Sequence, residues 1–135
     1  MFRYLAVCGV LLLVTQLSLC HPTEEMKKLF DTCQAESNVK IDTLKAFLKG
    51  GMKTEEATSE IKCFTKCLME KQGQFKNGVL NEEATRKALL EHPELKNKEA
   101  EVNKFMSECK GLKGSNECDT AFQIGQCMFK KGMDL

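Results

Sequence analysis

Two cysteines stand four residues apart in Cys63-Phe64-Thr65-Lys66-Cys67. Around them Ala57, Ile61, Phe64 and Leu68 recur at spacings of 4, 3 and 4, the period of an amphipathic helix. A four-residue step turns a helix through about 400°, so both sulfurs leave one face about 40° apart. Their Cβ atoms sit roughly 5–6 Å apart, whereas a disulfide needs about 3.8 Å. The two cannot pair with each other. Each must reach a different partner, and this helix becomes a hub tied to two other parts of the chain.

Whether those sulfurs form disulfides or hold a metal depends on the compartment, which the N-terminus decides. Residues 1–20 carry one positive charge (Arg3), an apolar run from Leu5 to Val14, and the ending Ser18-Leu19-Cys20. That is the layout of a secretory signal peptide, with cleavage near Cys20–His21. A membrane anchor needs about 20 apolar residues, and this run stops at Thr15-Gln16. No later segment is long and apolar enough to span a bilayer. The mature chain, residues 21–135, is therefore expected to be a single soluble extracellular domain.

Cleavage removes Cys8 and Cys20 and leaves Cys33, Cys63, Cys67, Cys109, Cys118 and Cys127. An even number in a small secreted chain predicts three disulfides. It also removes Arg3, so the mature charge is balanced, with no basic footprint for nucleic acid. The pairs Lys27-Lys28 and Lys130-Lys131 are expected on solvated helix faces. With Tyr4 gone and no Trp in the chain, phenylalanine is the aromatic residue that remains. No Asn-x-Ser/Thr sequon is present.

In chain order the pattern predicts six helices and no convincing strand. Thr23-Glu24-Glu25 opens the first, with Met26, Leu29, Phe30 and Cys33 on one face. Asp42 caps a short second helix carrying Leu44, Phe47 and Leu48, stopped at Gly50-Gly51. Thr54-Glu55-Glu56-Ala57 opens the hub helix, which runs to about Gln72. Asn81-Glu82-Glu83-Ala84 opens the fourth, and His92-Pro93 closes it. The fifth runs from Leu95 to about Lys110, with Val102, Phe105, Met106 and Cys109 along one stripe. Ser115 or Asn116 caps the sixth, which runs to about Phe129.

Cys118 and Cys127 are nine residues apart, about 900° of helical turn, and so point to opposite sides of the sixth helix. Six cysteines allow 15 pairings; forbidding Cys63–Cys67 leaves about 12. Spacing goes no further.

The order of a long gap, Cys-x3-Cys, a second long gap and Cys-x8-Cys-x8-Cys resembles the insect odorant-binding protein family, of the general-odorant and pheromone-binding type. Here the gaps are 29, 3, 41, 8 and 8 residues, and the likeness spans nearly the whole mature chain. The resemblance implies the pairing Cys33–Cys67, Cys63–Cys118 and Cys109–Cys127. It implies an all-α bundle of about six helices around an apolar cavity, which carries small hydrophobic molecules such as odorants or pheromones through extracellular fluid. Sensillum lymph is one such fluid. No cofactor or metal is implied. The partners are a small hydrophobic ligand and a chemosensory receptor, the state a monomer or weak homodimer. Two features depart from better-studied members. Neither Tyr nor Trp remains, and only eight residues follow Cys127, too few for the tail-insertion device of some relatives.

A cavity makes the disulfides intelligible. An empty pocket of roughly 300 Å³, at about 24 cal/mol per Å³, costs on the order of 7 kcal/mol. Three disulfides at about 3 kcal/mol each offset that. The lining predicted from inward stripes is Phe64, Leu68, Leu80, Leu89, Phe105, Met106, Phe122, Met128 and Phe129, with methionine able to reshape around irregular ligands. For any one of them, ordinary core is a commoner role than ligand contact. A polar anchor must come from Ser, Thr, Asn, Gln, Lys or backbone.

Other classes fit less well. A secreted helical phospholipase needs a His-Asp pair and a calcium loop; the mature histidines are His21 and His92, and Asp follows neither. His92, beside Pro93, belongs to a helix end. A zinc site lacks a matching His beside Cys-x3-Cys. A secreted helical signal acting through its surface is the main rival, and a saposin-like or other non-olfactory lipid carrier is a further one.

Overall fold

The computed structural model describes residues 23–133, so the expected signal peptide and its cleavage point lie outside the described residues. The chain divides into two units, Met1–Thr32 and Cys33–Leu135, with the boundary inside the first helix. In the first unit the described residues open α1 (Glu24–Ser37). Thr23 Oγ1 accepts from the Met26 N–H at 3.2 Å, and Glu24 and Glu25 sit where the helix dipole favours acids. Met26, expected inward, is exposed.

In the second unit, α2 spans Ile41–Lys49 and buries Leu44 and Phe47. Its cap position is Lys40, with no side-chain bond, and Asp42 lies inside the first turn. Asp42 therefore acts through the dipole and not as the predicted cap. At the other end Gly51 takes φ +83°, and the Met52 and Gly51 N–H groups bond Phe47 O and Leu48 O. That Schellman stop needs a left-handed residue, which glycine supplies.

The hub helix begins later than predicted. Thr54–Glu56 forms a separate 3₁₀ turn, and α3 spans Ser59–Lys71. Thr58 is the cap, its Oγ1 accepting from Ile61 N–H at 3.3 Å. The Glu60 carboxyl, bonded to its own backbone N–H and to Thr58, is held below its ordinary range. Ala57 ends the 3₁₀ turn and is not part of the hub. Ile61, Phe64, Cys67 and Met69 form the buried face of α3.

A short ladder follows where no strand was predicted. β1 (Phe75–Lys76) pairs antiparallel with β2 (Val79–Leu80), Phe75 opposite Leu80 and Lys76 opposite Val79. Asn77 (φ 52°) and Gly78 (φ 76°) make the two-residue turn, both left-handed as a type I′ hairpin requires. The chain remains overwhelmingly helical.

α4 (Glu82–Glu91) starts as predicted: Asn81 Oδ1 accepts from Ala84 N–H at 3.2 Å. α5 is shorter than predicted, Glu99–Cys109. Leu95 lies in the preceding turns, where Leu95 N–H bonds His92 O and Lys98 N–H bonds Leu95 O. These i to i+3 bonds after Pro93 are tighter than an α-helix allows. α6 (Glu117–Met133) is capped by Asn116, whose Oδ1 accepts from Asp119 N–H at 2.9 Å. It runs a turn past Phe129, with Lys130 and Lys131 in its last turn and Lys131 paired to Glu108. Cations there suit the negative end of the dipole.

The disulfides are Cys33–Cys67, Cys63–Cys118 and Cys109–Cys127, with Cα separations of 5.5, 4.5 and 5.7 Å. The hub helix is thus joined to the C-terminal half of α1 and the first turn of α6. α6 is joined to α3 through Cys118 and to α5 through Cys127. Opposite faces reach different neighbours, as the nine-residue spacing demands.

Candidate ligand-binding site

Leu89 on α4 is the meeting point of the interior. Half-buried itself, it packs against two groups of buried apolar side chains. One group gathers Met69 of α3, Phe75 and Leu80 of the hairpin, Cys109 of α5, and Ala121, Ile124 and Met128 of α6. The other holds Leu95, Val102, Phe105 and Met106. α4 can bridge them because its inward residues recur at helical spacing.

The residues predicted to line a pocket distribute unevenly over this interior. Leu80, Leu89 and Met128 share the first group; Leu89, Phe105 and Met106 share the second. Phe64 is buried and Leu68 is half-buried on α3. Phe122 is buried with its ring centroid 6.1 Å from that of Phe47. Phe129 is 44% exposed. It follows Met128 by about 100° of rotation, and with Met128 turned inward it faces outward.

Openings at the surface of the described residues reach buried side chains in two places. One of about 360 Å³ lies between α4 and α5, lined by Glu82, Glu83, Arg86, Asn103, Met106, Ser107 and Lys110. Its rim is charged, with Lys110 Nζ bonded to Glu82 Oε1 at 3.1 Å, and Met106 supplies a buried apolar wall. The other, of about 460 Å³, is lined by Asp42, Thr43, Ala46, Phe47, Glu56 and Ile61. It too reaches buried apolar side chains, Phe47 and Ile61.

No charged side chain is buried among the described residues; the buried polar side chains there are Thr85 and Thr120. Thr120 Oγ1 accepts from Gly114 N–H at 3.0 Å. Thr85 Oγ1 has no partner. No group of His, Cys, Asp or Glu among the described residues could hold a metal ion, and no described helix is long and apolar enough to cross a membrane.

Charge collects instead where α3 meets α6. Lys62 Nζ bonds Asp119 Oδ1 at 2.7 Å, and Ser115 N–H donates to Asp119 Oδ2 at 2.9 Å. Lys62 and that backbone N–H hold the Asp119 carboxyl down to about 2. The Lys66 ammonium is raised by its bond to Glu117, 3.1 Å away. These pairs fasten α3 to α6.

Comparison with known proteins matches this architecture. The profile of the PBP/GOBP family matches residues 21–131. General odorant-binding protein 56a of Drosophila melanogaster is 36% identical over 70 residues, 52% of this chain and 48% of the relative, so the chain aligns with about half the length of that relative. Among solved structures, the fatty acid binding protein OBP56a from the oral disk of the blowfly Phormia regina is 32% identical with a TM-score of 0.66. That match covers 85% of this chain and 98% of the blowfly chain. Odorant binding protein 7 of Anopheles gambiae, solved with four disulfide bridges and an azo compound, is 25% identical with a TM-score of 0.59. It covers 77% of this chain and 80% of the mosquito chain. With the family profile spanning the described helices and all six paired cysteines, this chain belongs to the PBP/GOBP family.

Proposed function

We propose that the protein is a secreted carrier that binds a small hydrophobic molecule among the apolar side chains around Leu89 and moves it through aqueous extracellular fluid. The observation that carries this reading is the uncharged apolar interior held by three disulfides, in a fold shared with the blowfly fatty acid binding protein. The lining on this reading is Phe64, Leu68, Leu80, Leu89, Phe105, Met106, Phe122 and Met128, with Phe129 at the rim. Met shapes part of the wall and adjusts to the ligand's outline. Secretion is supported by the leader-like run in residues 1–20, which lies outside the family match. A monomer or weak homodimer delivering to a chemosensory receptor completes the proposal. Burial of hydrocarbon supplies the affinity, at roughly 25 cal/mol per Å² of apolar surface removed from water.

The test is displacement of a fluorescent apolar probe by long-chain alcohols, aldehydes and fatty acids, with native mass spectrometry of the purified protein. Micromolar competition and a retained small molecule are expected. A protein that binds no probe and retains nothing is not a carrier.

A further inference from the structure

Thr85 sits on α4 one turn before Leu89, on the face turned to the interior, and is 1% exposed. A buried threonine in a helix ordinarily donates its hydroxyl to the carbonyl four residues back. Even the less buried Thr32 and Thr65 do so, to Lys28 O at 2.7 Å and to Ile61 O at 3.0 Å. Thr85 does not. The Asn81 carbonyl accepts the Thr85 backbone N–H at 3.0 Å, while Thr85 Oγ1 is buried without any partner. A buried polar atom left unsatisfied is expensive, and in a native protein it calls for a missing partner.

The surroundings say what kind of partner. Leu89, on the same face, touches both apolar groups, so whatever reaches Thr85 also lies against hydrocarbon. The other unsatisfied buried side-chain atom among the described residues, Gln126 Oε1, belongs to an amide already tethered through Nε2 to Met52 O at 3.0 Å. As an amide carbonyl oxygen it can only accept. A threonine hydroxyl can both donate and accept.

We propose that Thr85 Oγ1 is the polar anchor of the ligand site, selecting an apolar molecule that ends in a single oxygen-bearing head group: an alcohol, a carbonyl or a carboxylic acid. This rests on the carrier reading above and adds to it the group that recognises the head. The tail is held by burial and contributes affinity without selectivity for the head. The hydroxyl contributes selectivity, because a hydrocarbon of the same length leaves it unpaired.

The experiment compares the mature wild-type protein with Thr85→Val, which keeps the shape and removes the hydroxyl, and Thr85→Ser, which keeps the hydroxyl. The probes are 1,6-diphenyl-1,3,5-hexatriene, a hydrocarbon read directly by fluorescence, and 1-dodecanol, read by its displacement. Thr85→Val should bind the apolar probe within about twofold of wild type while losing roughly tenfold in dodecanol affinity, the size of one neutral hydrogen bond. Thr85→Ser should keep most of the dodecanol affinity, and thermal melting should show both variants folded. Equal dodecanol affinity in wild type and Thr85→Val overturns the assignment. So does parallel weakening of probe and dodecanol, which marks a change of shape alone. A wild-type protein that binds neither ligand removes the carrier reading itself, a result distinct from either of those.

Discussion

Lys62 and Asp119, joined at 2.7 Å, are the immediate chain neighbours of Cys63 and Cys118, which form the disulfide between the same two helices. One contact between α3 and α6 is therefore fastened twice, covalently and by charge. The Lys62 ammonium also stands 5.8 Å from the ring centroid of Phe122, within the range of a cation–π contact. Phe122 in turn meets Phe47 of α2.

The pair makes folding sensitive to acid. In the folded protein the Asp119 carboxyl lies at about 2, below its ordinary 3.8. A depressed carboxyl contributes stability that is fully present above the unfolded value and lost as pH falls through the folded one. Melting temperature measured from pH 7 to pH 2 should therefore fall between about pH 4 and pH 2, and Asp119→Asn should flatten that part of the curve. An identical curve for the variant would show that the pair does not couple to folding.

Gly114 protects the same carboxylate. A Cβ placed there would collide with Asp119 Oδ2, which accepts from Ser115 N–H and Gln123 Nε2. Gly114→Ala should push the carboxylate off these donors and reproduce the flattened acid limb of Asp119→Asn, at lower overall stability. Combining the two substitutions should then cost less than their sum, since both remove one arrangement.

The hairpin gives a backbone prediction. Gly78 holds φ +76°, and an added Cβ would lie 3.2 Å from Glu117 Oε1. Gly78→Ala should lower stability by about 1–2 kcal/mol, the cost of a left-handed residue with a Cβ, read as a shift of the urea midpoint with unchanged slope. Gly73 is also left-handed but faces open space, so Gly73→Ala should cost no more than Gly78→Ala.

The same hairpin marks one limit of sequence reading here. Asn77-Gly78 between Phe75-Lys76 and Val79-Leu80 is a strong short-range hairpin signal, but two-residue strands show no alternation to find. Helix starts were legible at Thr23 and Asn81, whose side chains bond the first turn, but not at Asp42, which lies inside the first turn of α2 behind an uncapped Lys40. The hub helix start was displaced because Thr54 and Thr58 both precede acids, and the chain spends the first on a 3₁₀ turn. The cysteine geometry was readable because rotation per residue is fixed, whereas the pairing itself came through family resemblance. Inward stripes foretold buried side chains such as Phe105 and Met106. They could not foretell which space between helices stays open, since that depends on distances between elements. Nor does any pattern reveal that Thr85, unlike Thr65, leaves its hydroxyl unbonded.

The staples should matter to binding as well as to folding. Cys63→Ser and Cys67→Ser each break one bridge of the hub helix, and each should cost about 2–5 kcal/mol. Because the hub positions Met69 and Phe64, apolar probe affinity should fall in both variants even at temperatures where circular dichroism shows them folded. Unchanged probe binding in both would mean that the bridges hold the fold without shaping the site.

Leu89 separates site from scaffold most directly, because it belongs to both apolar groups at once. Truncation to alanine removes contacts on two sides, and a half-buried leucine should cost about 2 kcal/mol, the low end for core truncations. Stability loss alone would describe any core residue. A carrier adds a second expectation: the space vacated by Leu89→Ala adjoins the ligand, so affinity should shift toward bulkier apolar probes while Thr85 continues to distinguish dodecanol from hydrocarbon. Val79→Ala, at a site 65% exposed, should change neither quantity by more than about 0.5 kcal/mol. If Leu89→Ala lowers stability yet leaves the ranking of probe sizes as in wild type, the ligand lies elsewhere, and the opening beside Phe47 and Ile61 becomes the place to probe next.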